Sequence, residues 1–148
     1  MQFVHATPAY GAHARQLMQL GVFEVNRSGH YRYFVWLGSW GTSPTHSAAS
    51  HRDQLESVVL FADGEPLSLS LSGWASNSAG LTRPPFHRPV ASAVEAYYEV
   101  TPDVLRMIAT STQLSIEAGG ADSRRFEPWD AQLAARRDLN YFVETVLR

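Results

Sequence analysis

Histidine, serine and acidic side chains are the groups in this chain whose types could do chemistry. Six histidines are present: His5, His13, His30, His46, His51 and His87. A metal centre needs several ligands at one point, which on a helix means spacings such as i, i+4. No pair of histidines shows that spacing within a predicted helix. His46 and His51 share a segment with Asp53, and these three are the nearest thing to a ligand set. With His87 they are also the residues a small hydrolase or metal-assisted enzyme would use. Polar surface residues are the simpler reading of all four, so no cofactor and no metal is expected.

Serine is abundant enough that a Ser-His-Asp triad can be drawn in many ways, which makes abundance uninformative. The Gly-x-Ser-x-Gly turn of a nucleophile elbow is missing, and Gly38-Ser39-Trp40-Gly41 falls one residue short of it. Glu95 and Glu99 sit on one predicted strand, about 13 Å apart along it, too far for the usual acid pair. A solvated face accounts for both, and for Glu24. Glycine-rich phosphate loops are absent. Arg124-Arg125 and Arg136-Arg137 read as wet, solvated pairs.

Composition removes further classes. There is no cysteine, which excludes disulfides, thiolate metal sites and thiol nucleophiles. All 12 basic residues are arginine, so lysine chemistry such as a Schiff base is excluded as well. A net charge of -2 supplies no basic field for nucleic acid or an anionic membrane surface. No run approaches the roughly 20 apolar residues of a membrane span, so membrane insertion is not expected. The compartment stays open between cytoplasm and a processed envelope protein.

What remains is an aromatic surplus. Tyrosine and tryptophan carry a polar handle on an apolar body and are enriched at interfaces. Trp40 ends a strand beside the segment 38–53, and Trp74 stands beside the proline-rich segment 73–89. With Tyr97 and Arg83, they are the expected binding residues of a non-enzymatic binding or assembly module. Its partner would be another protein or a second copy of the chain. The enzyme above is one rival, and a small-ligand carrier with an apolar cavity is another.

The elements that must position these residues follow from periodicity. Residues 31–40 form the densest block of aromatic and β-branched side chains, apolar on both faces, and so predict a central strand. Thr7-Pro8 reads as a cap for a helix over 9–20 that Gly21 stops. A strand over 22–27 and a turn over 26–29 lead into the central strand as a hairpin. Residues 41–53 read as a surface loop. A strand within 55–62, the turn Asp63-Gly64 and the alternating Leu67-Ser68-Leu69-Ser70-Leu71-Ser72 predict a second hairpin. Residues 73–89 are irregular, and 90–100 resume the sheet. Thr101-Pro102-Asp103 starts a helix running to about 111. A short strand over 114–118, a turn over 121–125 and a final helix from about 130 complete the chain. At 148 residues this is one domain. The fold class expected is α+β: a mainly antiparallel sheet of five to seven strands with N-terminal, mid-chain and C-terminal helices. A β-sandwich or partial barrel with peripheral helices is the alternative.

Overall fold

The computed structural model describes residues 1–6, 15–41, 48–120, 123–128 and 133–147. The strands are β1 (Gln2–Ala6), β2 (Arg15–Arg27), β3 (His30–Gly41), β4 (Val58–Ala62), β5 (Glu65–Gly73), β6 (Val94–Val100), β7 (Leu114–Ala118) and β8 (Arg124–Pro128). All neighbours are antiparallel, and they close into a barrel in the order β1-β2-β3-β6-β5-β4-β7-β8, with β8 pairing back to β1. The helices are α1 (Ala48–Leu55), α2 (Pro102–Thr110) and α3 (Leu133–Val146). The architecture is therefore nearer the partial barrel with peripheral helices than the open sheet of five to seven strands.

β1 and β8, whose pairing closes the barrel, are not among the expected strands, and β8 begins at Arg124 inside the segment read as a turn over 121–125; two expected elements also differ. Residues 15–20, assigned to an N-terminal helix, are the first half of β2, where Gln19 pairs with Gln2 on one side and Gly38 on the other. The rest of that proposed helix, with its Thr7-Pro8 cap, lies outside the described residues. Leu17, Met18 and Leu20 fit a helical stripe, but Met18, Leu20 and Val22 also alternate, and pairing with β1 and β3 selects the strand. The second difference is α1, which occupies part of the segment assigned to a loop.

The turn and cap signals of the two hairpins and of α2 hold. Ser28-Gly29 and Asp63-Gly64 both adopt positive φ at two successive residues, the backbone of tight turns between antiparallel strands. Thr101 caps α2 by accepting the N–H of Val104, with proline next in line.

Alternation sorts the barrel wall. Met18, Leu20, Val35, Leu37, Ala96 and Tyr98 face inward, where they meet Phe3, Leu60, Ile116 and Phe126 in one core cluster. Eight strands give an interior of the width that side chains fill. Leu55 of α1 belongs to that cluster at one mouth. Leu105 and Ile108 of α2 and Leu139 of α3 belong to it at the other. Arg136 fastens α3 there by donating to the carbonyls of Ser111 and Thr112.

The outward face of β2, β3 and β6 carries a second, smaller core. Phe23, Val25, Phe34, Trp36 and Tyr97 are buried there, with Leu81 and Phe86 packed against them. Their cover is the chain between Gly73 and Val94, which crosses a 3₁₀ turn (Ser76–Ala79) and then runs irregularly.

Candidate functional site

The α1 mouth gathers the groups with chemical potential. α1 has almost no apolar stripe; its buried described side chains are His51 and Leu55, four residues apart and so on one face. That face enters the barrel. The Ser39 hydroxyl lies 2.8 Å from Nδ1 of His51, and both residues are almost wholly buried. Gln16, also buried, brings its amide nitrogen to 3.2 Å from the same Nδ1. An amide N–H can only donate, so this contact is a hydrogen bond in the neutral tautomer of His51 that keeps Nδ1 as acceptor. Gln16 also donates to Gln54, and its carbonyl oxygen accepts from the Arg124 guanidinium at 3.2 Å. One side chain thus ties β2, α1 and β8 together.

A serine hydroxyl bonded to a neutral imidazole is the first half of a nucleophile–base pair. Here it is enclosed, with Ser39 fully buried and His51 3% exposed. What these contacts do is orient α1 in the mouth, because those of Gln16, Ser39, His51, Gln54 and Arg124 given above run from helix to wall or along the wall.

The expected site residues are placed as follows. Trp40 is half-buried at the end of β3, in phase with Phe34 and Trp36 on the outer face. Trp74 follows the end of β5 at the same mouth, packs against the inner cluster, and has the Arg52 guanidinium 5.6 Å from its ring centroid. The two tryptophans therefore share a mouth from opposite sides of the wall. Asp53, exposed on α1, joins that rim. Tyr97 is fully buried in the outer core, and Arg83 is exposed on the covering chain. His46 lies outside the described residues. His51 points into the barrel while Asp53 points to solvent, and His87 is exposed on the covering segment. No three His, Cys, Asp or Glu side chains among the described residues form a metal-binding group.

Glu95 is a correction. Read as part of a solvated face, it is 6% exposed, because the covering chain lies over the outer side of β6. Its neighbour in that reading, Glu99, is exposed and forms a two-point pair with Arg32, which holds its carboxyl below the usual range.

Sequence reasoning passed over Gln16 and Ser39. Their signal was phase: each continues an inward series, Gln16 before Met18 and Leu20, and Ser39 after Val35 and Leu37. A polar residue in an apolar phase needs a partner. Both find His51.

Compared with protein-family models, with curated proteins and with solved structures, the chain gives no match. Function therefore has to be argued from the geometry alone. Among the described residues, no helix is long and apolar enough to cross a membrane.

Proposed function

We propose that the chain is a non-enzymatic binding module that assembles with a protein surface, a second copy being the simplest partner, through the α1 mouth. The observation that supports this reading is that half-buried Trp40, at the end of β3, and half-buried Trp74, after β5, stand at the mouth that α1 occupies, with the Arg52 guanidinium of α1 5.6 Å from the Trp74 ring centroid. Tryptophan and arginine are the side chains that most often anchor an interface, and a charged rim gives it register. The filled interior supports an outward role over that of a carrier. Replacing both tryptophans by alanine should abolish the association that light scattering reads across a concentration series. If Trp40→Ala/Trp74→Ala leaves every association unchanged, this reading is wrong.

One observation favours a second reading, a hydrolase: the 2.8 Å contact between Ser39 and His51. An enzyme of that kind would label with a fluorophosphonate at Ser39, and Ser39→Ala would remove the label. The binding module predicts no labelling.

A further inference from the structure

The outer core is unlike the inner one in its polar atoms. Among the described residues, three buried side-chain atoms make no well-formed hydrogen bond: Trp36 Nε1 and Tyr97 Oη, which interact weakly with one another, and Glu95 Oε1. Trp36 and Tyr97 are register partners across β3 and β6, and Glu95 lies two residues before Tyr97 on the same face. Buried polar groups are paired in the great majority of cases, because leaving one unpaired forfeits its bonds to water without replacement. Three together, on one patch, ask for an explanation.

The segment 82–92 lies over this patch. Among the described residues it makes no backbone hydrogen bond to the barrel; its one backbone bond runs from Ala93 N–H to the Val90 carbonyl. Two side chains hold it down. The Phe86 ring rests on the bare backbone of Gly21, where a Cβ would come within 2.5 Å of it. Trp36 and Phe23 wall the ring at centroid distances of 5.1 and 6.2 Å. Arg88, itself 57% exposed, places Nε 3.7 Å from Glu95 Oε2, long for an ion pair. The segment therefore seats an aromatic ring in a glycine-floored slot and sets a cation against a buried carboxylate. It leaves the carboxylate's other oxygen, a phenol and an indole N–H without well-formed hydrogen bonds.

We propose that this slot is a binding site for an aromatic amine, and that Phe86 and Arg88 are its built-in occupant. A ligand with an aryl ring on a short alkylammonium arm would place its ring where Phe86 lies. Its ammonium would donate to Glu95 Oε1 and the Tyr97 hydroxyl, within reach of the aromatic faces that favour a cation. Glu95 confers the charge preference, and Gly21 keeps the slot open. The site is on the outer face of the wall, where Glu95 lies opposite Gly38 toward the α1 end of β3, and it uses none of Trp40, Trp74 and Arg52.

The test is calorimetric titration of the full chain with 2-phenylethylamine, and with phenylacetate as the ring of opposite charge. Arg88→Ala removes the competing cation at an exposed position, so the fold is kept. It should bind the amine at least about tenfold tighter than the wild type, since an internal competitor lowers apparent affinity by the fraction of protein it occupies. Adding Glu95→Gln to that variant should lose the gain, and phenylacetate should not bind either protein. Phe86→Ala, which vacates the ring position, is the second variant and should show the same amine preference. The proposal is overturned if neither Arg88→Ala nor Phe86→Ala binds the amine. It is equally overturned if phenylacetate binds as well as the amine, or if Glu95→Gln changes nothing.

Discussion

Tyr97 and Tyr98 are adjacent in the chain and lie on opposite faces of one strand. Tyr98 points into the barrel and donates its hydroxyl to the carbonyl of Leu55, which anchors α1. Burial raises its pKa far above the ordinary tyrosine range. Tyr97 points outward under residues 82–92, is just as buried, and its hydroxyl makes no well-formed hydrogen bond, only a weak interaction with the Trp36 indole. Its pKa is pushed up to about 12, chiefly by burial and next by the Glu95 carboxylate, with Arg88 and Trp36 opposing. The inner face is a finished core, packed and satisfied. The outer face has a comparable aromatic content and a polar layer that is less fully hydrogen-bonded.

That contrast can be broken by substitution, and the largest effect belongs to the interior. Phe126→Ala, inside the barrel, should cost about 3–5 kcal/mol of unfolding free energy. Phe86→Ala should cost about 1–2 kcal/mol, because Phe86 is only partly buried and its segment makes no backbone hydrogen bond to the barrel among the described residues. Denaturant unfolding of the two variants decides this, and equal losses would make the cover part of one undivided core.

The tyrosines sharpen the comparison at a smaller scale. Tyr98→Phe leaves the Leu55 carbonyl without its donor and should destabilise by about 1–3 kcal/mol. Tyr97→Phe removes a hydroxyl that makes no well-formed hydrogen bond, and should be neutral or slightly stabilising. A loss for Tyr97→Phe as large as for Tyr98→Phe would show that the outer hydroxyl is satisfied in solution.

A subtler effect concerns how the sealed side is held shut. Asp63, in the β4–β5 turn, accepts the N–H groups of Thr112 and Gln113 after α2, at 2.9 and 2.7 Å. These bonds hold its carboxyl below the usual carboxylate range. A depressed pKa contributes stability that is complete above the unfolded value, about 3.9, and is lost as pH falls through the folded value. Melting temperature should therefore fall more steeply below about pH 4 in the wild type than in Asp63→Asn. Parallel curves would remove Asp63 from the seal.

Much of this was legible locally. The aromatic run became β3, the two tight turns became hairpins, and Thr101-Pro102 became the start of α2, because each depends on neighbours within a few residues. Closure was not legible, since it rests on β8 finding β1, partners more than a hundred residues apart. α1 escaped because its buried face amounts to His51 and Leu55, too little for a stripe. Glu95 was misread for a related reason. Alternation identifies which residues face away from the inner core, but not whether another segment then covers them. At the candidate site, the tryptophans were visible by type. The Ser39, His51 and Gln16 network was hidden in the phase of two strands and in a helix that composition did not announce.

The most direct test of the proposed role is molecular mass by light scattering during size exclusion, over a concentration series, for the wild type and for Trp40→Ala/Trp74→Ala. A chain that assembles through the α1 mouth should rise above its monomer mass of 16.4 kDa as concentration increases. The double variant should remain at that mass throughout. A wild type that stays monomeric at every concentration, indistinguishable from the variant, would contradict assembly through this mouth.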